Sequence, residues 1–582
     1  MILQALKEYY DRMSSEPNSS IAPFGWEKVE ISFIIVLKND GTLINIEDLR
    51  ENTGKKNKGK MVNVPLGEIR TSGIKANLLW DSAEYIFGLG SKGKEKKDEF
   101  VKRLKNELSG INDVNPVIQF LENFKEYDME NIGCWNDIKD SVHSNLSFKL
   151  ENDTDFIFEN REVKERLNAK YNNLPLGTCL VTGKNTRIKD LHKEIKGVAG
   201  INSSGAKIVS FNLDSFKSYG KENGLNSPVG IEAEFAYTTA LNTLLKKDSK
   251  QKIVIGSLTM VFWAKRQDTF ENVFSYLFQK PPRDDPNSGT RKINELFEGV
   301  KKGYNIEEKD RNYFFVLGLG PNSARIVIRF WKSAPINEIA EKIKQYFEDF
   351  TIVKSDKQPK YYSLLEILKN LSIRNETENI PPDIEAKLMM SILNGSPYPA
   401  SLIQAVMRRI LSDSKERVNS VRAATIKAYL NSYYRLYSDK SYKEIYMGLD
   451  IEQPSMGYQL GRLFATLERI QERANPDINS TIRERFYGAA CVSPITVFPT
   501  LLRLKNHHIS KIDKESTVIY FEQLIGEIMG KISIFPPNLN LHEQGLFSIG
   551  YYHQRQIFYT KKDKNNNEVT VENMNTPGGD DK

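Results

Sequence analysis

The sequence predicts an α+β protein: a mixed α/β front with hairpins and antiparallel strands, and an all-α rear. Three observations carry that prediction. Short β-branched and aromatic runs alternate with helical periodicity through the first 350 or so residues. Lys, Asp, Gln and Pro then dominate between Lys354 and Lys360, a composition shift that places a domain boundary at 355–356. Beyond it almost every apolar pattern has helical period, with Pro454, Pro476, Pro494, Pro536 and Pro537 in the connections. Residues 1–355 are expected to form the mixed region and 356–560 a helix bundle. The polar stretch 561–582, ending in PGGDDK, is expected to be a disordered tail.

The mixed region opens with a helix, because Leu3, Leu6, Tyr9, Tyr10 and Met13 recur at helical spacing. In EISFIIVLKNDGTLINIEDL, two apolar runs flank Asp40-Gly41, a hairpin signal because that pair accepts positive φ. ENTGKKNKGK follows, a basic loop carrying Lys55, Lys56, Lys58 and Lys60. Next is RTSGIKANLLWD, Arg70–Asp81, which sets Arg70, Lys75 and Asn77 around Gly73 and closes on Leu78, Leu79 and Trp80. Asn and Lys reach base edges, Arg and Lys neutralise phosphates, and a residue without Cβ permits close approach. An ordinary turn ahead of a buried segment fits the same residues. A second basic cluster, Lys92, Lys94, Lys96, Lys97, Lys102, Arg103 and Lys105, runs onto a helix with Phe100, Leu104 and Leu108 on its apolar side.

Short strands are expected at Asp155–Glu159, Cys179–Thr182 and Lys207–Asn212. An aromatic loop with Phe216, Lys217, Tyr219 and Lys221 then precedes a helix at Ile231–Lys246. Aromatics interleaved with lysines stack bases and neutralise phosphates, and Phe216 and Tyr219 fit a core role equally well. Ile253–Ala264 reads as one buried strand, Asp268–Gln279 and Arg291–Lys301 as helices. FFVLGLGPNSARIVIRFWKSA gives two strands around Gly318–Asn322, with Arg325 and Arg329 on one face. The rear helices are expected at Pro382–Leu393, Ser401–Leu411, Ala423–Tyr437, Gly457–Arg473, Val497–Ile512, Val518–Ile532 and Leu541–Phe558.

A chain of 582 residues exceeds one core, so two to four domains are expected. Its 40% hydrophobic and 27% charged content is that of a soluble globular protein. A net charge of +7 bears on nucleic acid only if it is clustered. The N-terminus lacks the apolar run of a signal peptide, and Ile253–Ala264 is too short to span a bilayer. Cys134, Cys179 and Cys491 form no CxxC pair, which fits a reducing cytoplasm and small buried side chains.

Catalytic signals are missing. Gly88, Gly93 and Lys94 match G-x-x-x-x-G-K, but Glu95 stands where a phosphate loop needs Ser or Thr, and a carboxylate there repels phosphate. His143, His192, His507, His508, His542 and His553 form no metal-binding or hydrolase motif. No catalytic residue, metal or cofactor is assigned.

Nine stretches together resemble one family. They are MILQALKEYYDRM, RTSGIKANLLWD, IKGVAGINSSGAKIVSFN, SYGKENGLNSPV, FAYTTALNTLL, LGLGPNSARIVIRFW, YQLGRLFATLERIQERA, TIRERFYGAACVSP and EQGLFSIGYYHQR, in that order. They are similar to the large subunit of the type I-C CRISPR interference complex, Cascade, from Met1 to about Arg555. The resemblance implies a non-enzymatic subunit of a guide-RNA ribonucleoprotein, cytoplasmic and without membrane contact, serving antiviral defence. Its front would dock near the guide's 5′ handle, beside handle-binding and backbone subunits, and read the PAM in duplex DNA. Its rear bundle would line the path of the displaced strand in the R-loop, and the complex would recruit a helicase–nuclease. Pairing with the guide would supply most of the specificity.

On that resemblance, Lys75 and Asn77, exposed beside Gly73, contact PAM base edges, and Arg70, Thr71 and Ser72 hold phosphates. Lys56, Lys58 and Lys60 track the backbone. Candidates for the displaced strand are Lys217, Tyr219 and Lys221 in front, and Arg408, Arg409, Arg422, Lys427, Arg462, Arg469, Arg483, Arg485 and Arg503 in the bundle. The family also makes its C-terminal bundle separately as a small subunit, for which Met456, or alternatively Met447, would be the start. The rival readings are an RNA-binding scaffold that reads no DNA, and a nuclease or NTPase.

Overall fold

Two units carry the chain, Met1–Lys196 with Ser204–Thr243, and Gly197–Ser203 with Leu244 onward. The computed structural model describes residues 1–278, 312–562 and 569–571, with 291, 294, 295 and 298 from the interval between 278 and 312; it leaves out 17, 18, 20, 53–56, 69, 71, 72, 131, 324, 356, 382, 383, 414, 415 and 438–442 within those spans.

The first unit begins with α1 (Ile2–Ser14), which buries Ala5, Leu6, Tyr9 and Tyr10, the stripe its sequence spacing requires. A ribbon pairs β1 (Trp26–Ile31) with β6 (Lys60–Pro65) antiparallel. Between them lie β2 (Phe33–Leu37), β3 (Leu43–Asp48), β4 (Glu51–Asn52) and β5 (Asn57–Lys58). The expected hairpin is present, with Gly41 at φ 80° and the Thr42 amide donating 2.9 Å to Asp40 Oδ1. The main sheet has the order β3-β2-β8-β7, where β7 is Trp80–Ser82 and β8 is Asn145–Leu150. β2 runs parallel to β8 and is buried at every position, as expected of a central strand reading FIIVL.

The crossover between β2 and β8 contains α2 (Ala83–Ile86), α3 (Gly93–Leu108), α4 (Asn115–Asn123) and α5 (Trp135–Asp140). Phe100, Leu104 and Leu108 of α3 are fully buried, each worth about 1.5–3 kcal/mol in burial, and Phe100 stacks on Phe148 of the sheet at 6.3 Å. The unit is completed by α6 (Arg161–Ala169), β9 (Leu176–Thr178), β10 (Asn185–Arg187) and α7 (Ile231–Leu244).

Three expected strands are absent. Residues 157–159 form a 3-10 turn beneath the stacked rings of Phe156 and Phe158. Residues 179–182 form the turn between β9 and β10, closed by Cys179 N donating to Lys184 O at 2.9 Å. Residues 207–212 have no partner strand, and only the bridge between Ile195 and Ala206 forms beside them. β-branched composition without a neighbouring ladder does not make a strand.

The second unit begins with an antiparallel sheet, β11 (Lys252–Ile255), β12 (Leu258–Ala264), β13 (Tyr313–Asn322) and β14 (Arg325–Pro335), in that order. The expected single strand at 253–264 is thus a hairpin, turning at Gly256 with φ 56°. The β13–β14 turn falls at Ser323 rather than at Gly318–Asn322, which lie inside β13. Arg329 is the extra residue of a bulge opposite Gly318 and Leu319, so it leaves the register that would align it with Arg325.

Helices follow: α8 (Phe270–Phe278) ahead of β13, then α9 (Ile336–Asp349), α10 (Leu364–Leu371), α11 (Ile384–Asn394), α12 (Ala400–Ser412) and α13 (Ser420–Tyr437). The rear holds α14 (Met456–Ala474), α15 (Ile482–Val492), α16 (Pro494–Ile509), α17 (Glu515–Met529) and α18 (Leu541–Tyr559). The helix expected at 291–301 falls mostly outside the described residues.

No core boundary lies at 355–356. One apolar cluster runs from Ile253 and Phe314 of the sheet through Leu402 and Phe464 to Tyr552, because the aromatic face of the sheet packs on the helices. α14 and α18 lie parallel with their backbones in contact. A Cβ at Gly461 would fall 2.0 Å from Phe547 O, and one at Gly550 would fall 2.1 Å from Tyr458 O. At the start of the expected tail β15 (Thr560–Lys562) pairs with β16 (Val569–Val571). The rest of it lies outside the described residues.

Candidate nucleic-acid interface

The loop joining β6 to β7, residues 66–79, is fastened from inside. Its neck is closed by Trp80 Nε1 donating 2.8 Å to Pro65 O and by the Glu68 amide donating 3.0 Å to Asn77 Oδ1. The Gly67 amide donates 2.6 Å to Glu27 Oε1. Arg103 of α3 reaches in to Ala76 O and to Glu68 at 2.7 Å. Asp81, 1% exposed, is the pivot: it accepts from Asn77 N and Ser82 N at 2.8 Å and pairs with Arg70. Burial raises the Asp81 carboxyl above its ordinary range, against the pull of Arg70 and the two amides. Arg70 also donates from Nε to Lys75 O at 2.7 Å, across the tip, and its guanidinium covers the Tyr85 ring at 4.0 Å.

This clamp leaves Gly73 and Lys75 exposed. Gly73 sits at φ 76°, and a Cβ there would touch nothing within 4 Å, so glycine serves the left-handed backbone and leaves free space above it. The Lys75 ammonium has no ion-pair partner among the described residues. Leu78, Leu79 and Trp80 are buried as expected. Asn77 is not exposed as expected. It is 4% exposed and its carbonyl oxygen closes the loop neck, so its role is to position the tip. Thr71, Ser72 and Lys56 lie outside the described residues. Lys58 and Lys60 are exposed on β5 and β6.

A second loop of this unit, residues 213–226, holds an aromatic ring clear of the protein. Tyr219 is 99% exposed and has φ 53°, a left-handed conformation that is costly for an aromatic residue, by about 1–2 kcal/mol. The Asn226 side chain holds the tip: its Oδ1 accepts from Ser218 N at 2.9 Å, and its Nδ2 donates to Lys221 O and Asn223 O at 3.1 Å. Leu213 and Phe216 are also exposed, at 47% and 37%. The Lys217 ammonium is shared by Asp214 at 3.0 Å and Glu222 at 3.3 Å, whereas Lys221 is exposed with no ion pair among the described residues.

The α3 cluster is mostly neutralised. Lys96 pairs with Glu84 at 2.6 Å, Lys105 pairs with Glu122, and Lys97 lies over Phe124 at 4.6 Å with burial lowering its pKa. Lys92 and Lys94 remain exposed. The turn before α3 folds onto itself, since a Cβ at Gly93 would fall 1.9 Å from Gly88 O, and Glu95 occupies the first helical turn.

Most of the bundle cations expected to guard a strand are internal. Arg462 is 0% exposed and donates 3.0 Å to Gln554, Gln459 and Glu527. Arg422, 2% exposed, bonds Asn370 O, Arg417 O and Asp413. Lys427 caps the C-terminus of α9 through Asp349 O at 2.9 Å. Arg483 joins the buried Glu468, as does Arg555, while Arg469 pairs with Glu472 at 2.9 Å under Tyr559. Burial pushes the Glu468 carboxyl up, but Arg555, Arg483, Tyr551 and Thr481 outweigh it and hold the pKa below the ordinary range. Arg409 is half-buried beside Asp413 at 3.6 Å. Arg408, Arg485 and Arg503 are the exposed members of the set.

Burial holds two histidines neutral. His192 falls to about 4 beside Tyr237, and His553 falls to about 3 beside Tyr458. Among the described residues no group of three His, Cys, Asp or Glu is placed to hold a metal ion, and no helix is long and apolar enough to cross a membrane.

The model of one family, described as CRISPR-associated protein (Cas_Csd1), matches residues 6–559. The chain belongs to the CRISPR-associated Cas_Csd1 family. No curated protein matches it. As a Cas_Csd1 protein it is part of a CRISPR system. Residue types alone pointed to both loops. Their fasteners, Asp81, Arg103 and Asn226, went unassigned because a positioning role appears only when the chain is folded. One signal was available: an acidic residue closing RTSGIKANLLWD beside an arginine.

Proposed function

We propose that this chain is the non-catalytic large subunit of a type I-C Cascade, in which the loop Arg70–Asp81 engages the PAM of duplex DNA. The observation that carries this is the Arg70–Asp81 clamp: buried bonding is spent on holding a glycine-borne lysine outward. Lys75 is the base-edge contact, and Thr71 and Ser72 donate hydroxyls to phosphates, whereas Arg70, expected to hold phosphates too, is taken up by Asp81 and positions the tip instead. Tyr219 and Lys221 meet bases and backbone where the strands part during R-loop formation, and Arg408, Arg485 and Arg503 follow the displaced strand along the bundle. Guide RNA and the handle-binding and backbone subunits are its standing partners in the cytoplasm, and a separate helicase–nuclease makes the cut.

The small subunit of the same complex is a second product started at Met456. That residue opens α14, whose Ser455 cap would be lost while the α14–α18 pair remains intact. Mass spectrometry of the purified complex would find a fragment beginning there, or exclude it.

The test uses the assembled complex. Binding is measured to duplexes that differ only in the PAM, for wild type and Lys75→Ala. The expected result is a PAM preference in wild type that shrinks in the variant. Equal binding to both duplexes by the wild type would favour a scaffold that reads no DNA, and metal-dependent cleavage by the isolated chain would favour a nuclease.

A further inference from the structure

The C-terminal half of α13 carries Tyr429, Tyr433 and Tyr437 at i, i+4 and i+8, so their rings line one face. Tyr429 is 4% exposed, Tyr433 is half-buried and Tyr437 is 64% exposed, a ladder that climbs from core to solvent. Tyr429 and Tyr433 stack at 6.1 Å and 22°, and Tyr433 meets Tyr437 at 5.0 Å and 48°. His542 of α18 fixes the stack edge-on, 4.8 Å from Tyr433 and 5.6 Å from Tyr429. Its ring nitrogens lie 3.1 Å from the Tyr434 hydroxyl and 3.5 Å from that of Tyr429. Burial lowers the pKa of His542, which keeps the ring neutral at pH 7.

We infer that Tyr437 is the open rung of a stacking platform for an unpaired nucleobase of single-stranded nucleic acid. The ladder is already ordered by its buried end, so a base that adds to it meets a ring whose neighbours are fixed. Every rung is aromatic and keeps its hydroxyl, which suits a flat polar ring better than an aliphatic side chain. Beyond α13 the chain offers another exposed ring, Tyr446, 55% exposed, with the Lys443 ammonium 5.8 Å from its centroid and paired with Asp450 at 2.7 Å. This inference rests on the nucleic-acid reading of the family, but it concerns the helical unit and not the duplex-reading loop.

Fluorescence anisotropy of the full chain with labelled oligothymidine and oligouridine tests it. Tyr437→Ala is expected to weaken binding by about 5- to 150-fold, the range for loss of one base–aromatic stack, while Tyr437→Phe and Tyr437→Trp retain it. A 2-aminopurine in the oligonucleotide should be quenched by the wild type and not by Tyr437→Ala. Weakening of both oligonucleotides, or of one, supports the platform and names the strand it serves. Absence of binding by the wild type, equal binding by Tyr437→Ala, or a loss as large in Tyr437→Phe as in Tyr437→Ala overturns it. So does a change in self-association with binding intact, which would assign the face to a protein. The Lys75→Ala duplex experiment fails or succeeds independently.

Discussion

Arg70→Ala removes the only side-chain cation paired with Asp81 among the described residues. Asp81 is 1% exposed, and its remaining partners are the amides of Asn77 and Ser82. Breaking a buried pair from one side costs about 3–5 kcal/mol; Arg70 is 32% exposed, so solvent screens part of this and about 2–3 kcal/mol is expected. The pH dependence has a definite sign. Burial raises the folded-state pKa of Asp81, and deleting Arg70 removes the charge that opposes the rise. A carboxyl whose folded pKa lies above its unfolded value, about 3.9, favours the folded state most when protonated. That contribution is complete below the unfolded value and is lost as pH rises through the folded one. The deficit of Arg70→Ala against wild type should therefore be largest at neutral pH and narrow toward the acid side. Arg70→Ala/Asp81→Asn should recover most of it, because no charge is left buried. Urea unfolding of the three proteins across pH measures this. Wild-type stability in Arg70→Ala, or a double variant weaker than the single one, would refute the clamp.

Arg462→Ala should cost about 3–5 kcal/mol by leaving Gln459, Gln554 and Glu527 without their shared donor, whereas Arg485→Ala/Arg503→Ala should change stability by less than about 1 kcal/mol. In single-strand binding that double variant should lower the salt slope by about 1.4, and an unchanged slope would remove both arginines from the interface. Gly461→Ala places a methyl on the Phe547 carbonyl, so thermal unfolding should show a loss of about 3 kcal/mol as α14 and α18 are forced apart. Glu468 acts with the opposite sign to Asp81. Its folded pKa is depressed, so its stabilisation is present above the unfolded value of about 4.3 and is lost as pH falls through the folded one. Glu468→Gln should flatten that acid limb in unfolding measured against pH.

Periodicity made the long elements legible. α1, α3 and the seven rear helices that were expected fall within a few residues of their apolar stripes, and Asp40-Gly41 gave the β2–β3 hairpin, whereas α9, α10 and α15 were not expected. Short strands were not legible, because a strand is defined by its neighbour: residues 179–182 are used as the turn of the β9–β10 hairpin, and residues 207–212 have β-forming side chains with no ladder beside them. Composition suggested a boundary near 356, but one apolar cluster runs from Phe262 and Phe314 to Leu402 and Phe464 across it, and Phe350 meets Tyr398 at 5.4 Å. Charge was the least legible property. Arg422, Arg462 and Arg483 look like solvent cations in one dimension, yet the bundle satisfies them internally. Lys75 kept its expected exposure and Asn77 did not, Tyr219, left open between core and surface, is exposed, and the spacing of Tyr429, Tyr433 and Tyr437 was in plain view without being assigned.

A photo-crosslinking amino acid at position 75, in the assembled complex bound to target DNA, tests the central proposal most directly. Crosslinks to the duplex at the PAM are the predicted result. Crosslinks confined to protein or guide RNA would contradict it.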